Sequence, residues 1–97
     1  MIHELKLDRK FFKRVREGKK RAELRYNDRN YRIGDFLLLR EFAGADRRYT
    51  GNRIMVKVLD IVTRDEFPSG LREGYVMLSF RDLTPDETEE WLFKGAI

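Results

Sequence analysis

Apolar and polar residues alternate over several stretches of the chain, which is typical of strands that bury one face. Such strands are predicted at residues 21–26, 54–62 and 76–80, after a short opening strand at residues 2–7. The nearly continuous apolar run of residues 36–42 predicts a further strand that is buried on both faces. Within residues 21–26 the pattern predicts that Leu24 faces the core and that Glu23 and Arg25 share a charged, open face. The alternation changes phase near Asp60, which indicates a bulge or bend where the strand coils.

Two helices are predicted, one before and one after these strands. The first begins at Asp8, a good helix cap, and ends at Gly18, which readily adopts the left-handed conformation. Its apolar positions are Phe11, Phe12 and Val15. The second starts at a capping box over residues 84–87, has proline at its first helical position, and lies in the acidic segment 82–97 with Trp91.

The order of elements predicts an α+β fold, a small β-barrel of about five strands with one N-terminal and one C-terminal helix. The length of 97 residues suits one domain, so residues 1–97 are predicted to share one core. The stretch 43–52, rich in Gly, Asp, Asn and Arg, predicts an exposed hairpin connection. The predicted barrel core comprises Leu24, Phe36, Leu38, Val56, Val58, Val76, Leu78 and Phe80, under the apolar face of the first helix.

Composition excludes several classes of function. The absence of cysteine removes disulfides and thiolate metal sites, and a single histidine leaves no zinc site, so we expect no metal and no cofactor. No apolar run approaches the roughly 18 residues of a membrane span. We therefore expect a cytoplasmic protein that does not enter the membrane.

Positive charge is concentrated at the start of the chain. Residues 1–32 hold twelve Lys and Arg against five Asp and Glu, whereas residues 82–97 hold one against five. Arginine suits phosphates and base edges because its planar fork donates two hydrogen bonds at once. Nucleic acid or a nucleotide is the predicted partner, and a solvated basic helix face is the alternative.

The densest polar cluster follows the first helix and contains Lys20, Glu23 and Arg25. Glu23 and Arg25 are two residues apart on a strand and therefore share a face, close to the lysine at the helix end. A lysine or arginine there could bind phosphate, and a carboxylate could accept a hydrogen bond from an exocyclic amine or act as a base. The alternative is a ladder of surface ion pairs with little energetic value.

The sequence resembles the ASCH domain, a branch of the PUA-like superfamily, over about residues 1–81. The residues that carry the resemblance are Gly18-Lys19-Lys20, Glu23-Leu24-Arg25, Asn27-Asp28-Arg29 and Ile33-Gly34-Asp35. Short stand-alone bacterial and phage ASCH proteins are more similar still, through His3, Leu5 and Lys6, Tyr49-Thr50-Gly51, and Gly74-Tyr75. The resemblance implies a PUA-like pseudo-barrel with a cleft beside the first helix, lined by the charged face of residues 18–25, that holds RNA or a nucleoside.

The leading hypothesis is therefore an RNA- or nucleotide-binding module. Arg9, Lys13, Arg16 and Lys20 are expected to meet phosphate, Glu23 and Arg25 to read a base, Arg29 to line the site or anchor its loop, and Tyr75 to stack on a base. A third possibility is a small interaction protein whose surface, with both positive and negative charges, docks on another protein.

An enzyme is the second hypothesis. One ASCH branch hydrolyses the acetyl amide of acetylcytidine with a lysine, a threonine and a glutamate, and the resemblance places these on Lys20, Glu23 and Glu73. The threonine position is thus a glutamate here, which removes the hydroxyl nucleophile, and Thr50 or Ser79 would have to replace it. A ribonuclease is a weaker form of the same hypothesis.

Overall fold

A computed structural model describes residues 1–93, which form five strands and two helices. In chain order these are β1 (Ile2–Asp8), α1 (Arg9–Arg16), β2 (Ala22–Tyr26), β3 (Phe36–Ala43), β4 (Arg48–Val62), β5 (Tyr75–Asp82) and α2 (Pro85–Phe93). The predicted α+β class and both helices are confirmed, while positions 94–97 of the predicted acidic segment lie outside the described residues. Neither helix of residues 1–93 is long and apolar enough to cross a membrane.

The sheet has the strand order β1-β3-β4-β5-β2. β1 pairs with β3 in parallel, and the other neighbours are antiparallel. β1 and β2 are therefore the two edges, yet the side chain of Arg25 on β2 reaches the backbone of Lys6 on β1. The sheet is thus curled into a half-barrel whose edges face each other without pairing.

Two irregularities bend the long strands. The pairing of β4 with β5 shifts between Val58 and Asp60, which confirms the predicted bulge. The pairing of β3 with β4 shifts between Arg40 and Phe42. The predicted connection over residues 43–52 is too long, because pairing resumes at Arg48 and leaves a turn of residues 44–47.

The core lies between the concave face of the sheet and α1. Its buried members are Leu5, Leu7, Phe12, Val15, Tyr31, Leu37, Leu39, Val56, Val58, Val76, Leu78 and Phe80. The predicted core position Leu24 is wrong, because its side chain is 60% exposed. Leu38 is buried as predicted, at 3% exposed, but Leu38 and the half-buried Phe36 alternate with the inward Leu37 and Leu39 and therefore lie on the outer face of the sheet.

The outer face explains why the apolar run of β3 is nearly continuous. α2 covers one end of that face, where the rings of Trp91 and Phe36 meet edge to face with centroids 5.0 Å apart. The predicted capping box holds the helix start, because Glu87 N–H donates to Thr84 Oγ1 and Thr84 N–H donates to Glu87 Oε1. Both faces of β3 are therefore covered at this end.

Candidate functional site

A cleft of about 570 Å³ lies between the facing edges β1 and β2, beside α1. Its walls are formed by Lys6, Leu7, Asp8, Phe11, Lys20, Glu23, Leu24, Arg25, Tyr26 and Tyr75. This volume is within the roughly 300–1,000 Å³ of sites for small organic ligands. Of the predicted site residues, the structure brings Lys20, Glu23, Arg25 and Tyr75 together here.

The end of α1 places Lys20 at the cleft. Gly18 has a φ of 76°, a conformation that glycine adopts without a steric penalty. Its N–H donates to the Val15 carbonyl and that of Lys19 donates to the Arg14 carbonyl, which together form a Schellman motif. The chain reverses within this motif, so the next residue, Lys20, starts along the cleft wall.

Glu23 is the centre of the polar cluster and is only 6% exposed. Lys20 Nζ lies 2.8 Å from its Oε1, and Arg25 Nε lies 2.8 Å from its Oε2. Lys20 also donates to the Ala22 carbonyl oxygen. Two charge-assisted contacts offset the desolvation of this buried carboxylate.

The predicted phase of β2 is therefore inverted. Glu23 and Arg25 face inward between the two edges, and Leu24 and Tyr26 face outward. The physical reason is that the inner face of an edge strand opens here onto a cleft rather than onto the apolar core. A carboxylate that two cations neutralise is stable in such a position. The expectation that the charged face of this strand lines a cleft agrees with the structure, whereas the expectations that Glu23 is open to solvent and that Leu24 faces the core are wrong.

Two arginines connect the facing edges. Arg25 Nη2 donates to the Lys6 carbonyl oxygen at 2.7 Å, and Arg29 Nη1 donates to the Glu4 carbonyl oxygen at 2.8 Å. Both carbonyls belong to β1, where no neighbouring strand among residues 1–93 pairs with that edge. Arg29 thus anchors the loop after β2. Arg25 lines the cleft and also connects its two edges.

Aromatic rings form the exposed rim of the cleft. Tyr26 and Tyr75 are cross-strand partners whose rings meet edge to face with centroids 5.6 Å apart. The Tyr26 ring packs on the backbone of Gly74, where an added Cβ would lie 2.4 Å from the ring. Tyr26 and Tyr75 both line the cleft and are 57% and 36% exposed, so both rings are accessible to a ligand.

Three cations surround the half-buried ring of Phe11 at the helix side of the cleft. Lys10 Nζ, Arg14 Cζ and Lys20 Nζ lie 4.9, 5.5 and 5.7 Å from its centroid. Lys10 and Arg14 do not line the cleft themselves but flank Phe11, which does, and sequence reasoning did not single them out. A helical wheel centred on Phe11 could have found them, because at 100° per residue both fall on its flank.

Lys13 and Arg16 lie on the opposite flank of α1 and do not line the cleft. Arg16 instead lies over the Phe12 ring, 5.9 Å from its centroid. Its charge contributes to lowering the pKa of Glu41 on β3. The structure therefore separates these two predicted phosphate contacts from Lys20.

The residues that the hydrolase hypothesis needs are not assembled. Glu73 is exposed in the loop before β5 and is not part of the cleft wall. Thr50 lies in β4, where its hydroxyl donates to Glu41 Oε1 at 2.6 Å. Ser79 pairs with Ala22 in the sheet and does not line the cleft either.

Glu41 is a second buried carboxylate, 5% exposed. The hydrogen bond from Thr50 is the strongest influence on it and holds the pKa of Glu41 below its ordinary value. Burial opposes this effect, and a hydrogen bond from Asn52 Nδ2 at 3.1 Å supports it. The threonine of the Tyr-Thr-Gly motif thus stabilises the hairpin between β3 and β4 by binding Glu41.

His3 also has structural partners. Its Nε2 lies 2.8 Å from Asp35 Oδ2, and its ring meets that of Tyr31 edge to face. Burial would raise the pKa of Asp35, but the hydrogen bonds from His3 and from the Arg32 N–H hold it below its ordinary value. Within residues 1–93 no group of three or more His, Asp or Glu residues is placed to hold a metal ion.

Residues 2–80 match the model of a protein family described as a domain of unknown function, DUF3850. The chain belongs to the DUF3850 family. Every residue that lines the cleft falls within the matched range, whereas α2 lies beyond it.

A curated relative of this DUF3850 chain comes from Escherichia phage P2 and carries the description "Uncharacterized 12.9 kDa protein in GpA 3'region". The two are 42% identical over 77 residues, which cover 79% of this chain and 65% of the relative. The match thus spans less than two thirds of the relative's length.

Proposed function

We propose that this DUF3850 chain is an RNA- or nucleotide-binding protein of the ASCH, PUA-like type. The observation that carries the proposal is the cleft between β1 and β2, where a carboxylate held by two cations lies beside exposed aromatic rings. We place the protein in the cytoplasm, where RNA and nucleotides are available.

Each part of the cleft matches one part of a nucleotide. The oxygens of Glu23 are acceptors that suit the exocyclic amine of a base, and the ring of Tyr75 suits stacking on it. Lys10 and Arg14, beside Phe11, place positive charge at the helix side of the cleft. Phosphate groups would meet this charge, so base and phosphate are served by separate residues.

Amide hydrolysis of a modified nucleoside is the alternative function. The observation in its favour is that Lys20 and Glu23 lie together in the cleft, with Nζ 2.8 Å from Oε1, so that a lysine and a carboxylate are both available to a bound nucleoside. Glu73 and the hydroxyls of Thr50 and Ser79 lie outside the cleft wall. Binding therefore has more support than hydrolysis.

Fluorescence anisotropy with a labelled short single-stranded RNA tests the proposal. Lys20→Ala should weaken binding about tenfold at low salt, since it removes a cation from the cleft. Lys19→Ala is the matched control, because Lys19 is the adjacent lysine and its side chain is 73% exposed. Equal binding by the parent and both variants would contradict the proposal, as would failure of the parent to bind RNA or nucleotide.

A base contact and a phosphate contact can be separated with two more variants. Glu23→Gln should change which of the four nucleoside monophosphates competes best, whereas Tyr75→Ala should weaken all of them by about 1–3 kcal/mol. Incubation with acetylcytidine, followed by chromatography, tests the alternative. Release of acetate by the parent and its loss in Lys20→Ala would favour the hydrolase.

A further inference from the structure

A row of cations crosses the outer face of the sheet, away from the core. Lys6 on β1 pairs in register with Arg40 on β3, and Arg40 pairs with Arg53 on β4. Lateral partners in a sheet share a face. The neighbours Leu5 and Leu39 are buried in the core, so this row, here called the outer cationic row, points outward.

Aromatic rings rather than acids position the outer cationic row. Lys6 Nζ lies 4.6 Å from the centroid of the Phe42 ring, and Arg40 Cζ lies 4.0 Å from that of the Tyr49 ring. The two rings in turn meet edge to face at 5.3 Å. Within residues 1–93 neither Lys6, Arg40 nor Arg53 forms an ion pair, so their charges remain available.

The acidic helix α2 occupies the other end of this face. Glu87 of this helix forms ion pairs with Lys57 and Arg81 of the sheet. Lys57 is four residues along β4 from Arg53, a separation of about 13 Å along a strand. The outer cationic row thus lies beyond the ion pairs that anchor α2.

The row begins where the cleft ends. Lys6 lines the cleft and is also the first member of the row, on the edge strand β1. A chain of phosphates that leaves the cleft over this edge would meet Lys6, then Arg40, then Arg53, on strands about 4.8 Å apart. Unpaired cations in line suit a polyanion much better than a single phosphate group.

We infer that the ligand is a single strand of RNA rather than a free nucleotide, with one base in the cleft and the adjoining backbone along the outer cationic row. The inference rests on the proposed function, because the cleft has to hold the base. The inference adds a second contact surface for the RNA, on the opposite side of β1 from the cleft. It also gives the direction in which the RNA leaves the cleft.

A length series tests the inference. Labelled oligocytidines of about two to ten nucleotides, whose bases carry an exocyclic amine, should bind the parent more tightly as length increases, and cytidine monophosphate should bind least. The double variant Arg40→Ala/Arg53→Ala should lose about tenfold in affinity for the longest oligomer and retain the parent's affinity for the monophosphate. Its slope of log affinity against log salt should fall by about 1.4, the value for two phosphate contacts on a single strand.

The matched control is Arg32→Ala/Arg72→Ala, which also removes two exposed arginines, both from loops. It should bind the longest oligomer like the parent. Equal losses of affinity for the longest oligomer in both double variants, or no gain in affinity with length, would overturn the inference. If the monophosphate still bound, the proposed function would remain supported. Absence of all binding by the parent would instead remove the proposed function.

An acidic protein is the competing occupant. If polyglutamate bound the parent as tightly as the longest oligocytidine, and the Arg40→Ala/Arg53→Ala variant lost this binding, the outer cationic row would be the docking surface of an acidic protein. That result would overturn the inference. Displacement of the oligomer only by unlabelled RNA would support it.

Discussion

The guanidinium group of Arg25 joins the two edges of the sheet through the backbone of Lys6. Its Nη2 donates to the Lys6 carbonyl oxygen at 2.7 Å while its Nε donates to Glu23 Oε2 at 2.8 Å. One side chain thus fixes the separation of β1 and β2 and the position of the buried carboxylate. A planar fork is needed, because the two acceptors lie on different strands.

Arg25→Lys should therefore destabilise the protein even though the charge is kept. A single ammonium cannot reach both acceptors in the geometry of the fork, so one hydrogen bond to a partly buried group is lost, at a cost of about 1–3 kcal/mol. Urea unfolding at neutral pH measures the change. Arg29→Lys is the control, since Arg29 donates one hydrogen bond to β1 and should cost less; equal midpoints for parent and Arg25→Lys would contradict the prediction.

Glu23→Gln should lower stability more than any exposed carboxylate substitution. It leaves Lys20 and Arg25 with side chains only 22% and 25% exposed and no counter-charge, and breaking a buried ion pair costs about 3–5 kcal/mol. Thermal unfolding of Glu23→Gln and of Glu17→Gln makes the comparison. Glu17 has one long contact of 3.9 Å with Lys19 and should change stability by less than about 1 kcal/mol.

Two leucines on the neighbouring strands β2 and β5 were both predicted to lie in the core, and the structure buries only Leu78. Leu78→Ala should cost about 2–5 kcal/mol because Leu78 is fully buried, whereas Leu24→Ala should stay within about 0.5 kcal/mol because Leu24 is 60% exposed. Denaturant unfolding of the two variants decides between them. A large loss for Leu24→Ala would restore the phase of β2 that the alternation predicts.

The class, the order of elements and both helix starts were predictable, because alternation, caps and turn residues are local signals. The inward face of β2 was not. Leu24 looks like the core residue of that strand, and only the tertiary structure shows that the inner side is a cleft where Glu23 meets two cations. Period-2 alternation identifies two faces but not which of them is inside.

Thr50→Val should lower stability in a pH-dependent way. The hydrogen bond from Thr50 holds the pKa of Glu41 below its ordinary value, so this contribution is fully present above the unfolded pKa of about 4.3. It is lost as the pH falls through the lower folded pKa. The variant should therefore lose about 1.5–3 kcal/mol at pH 7 and much less near pH 2.

Unfolding of parent and variant across this range is the measurement. Thr88→Val is a useful control, because the Thr88 hydroxyl donates to the Thr84 carbonyl oxygen rather than to a carboxylate. Its effect should not depend on pH. A Thr50→Val penalty that stayed constant from pH 7 to pH 2 would contradict the assignment to Glu41.

The candidate site was predictable in part for a geometric reason. Lys20, Glu23 and Arg25 are close in sequence, so their proximity in space follows from the helix stop at Gly18 and the strand after it. Partners from distant segments, such as the Lys6 carbonyl, required the topology, which places β1 opposite β2. Which flank of α1 faces the cleft could likewise be decided only from the topology.

The way the half-barrel closes has a consequence for what the cleft can admit. Main-chain ladders hold strands at one fixed spacing, but here two long side chains set the aperture between β1 and β2. Because these two contacts lie outside the ladders between the other strands, the width of the cleft in this chain depends on two side chains rather than on the pairing that holds the sheet together.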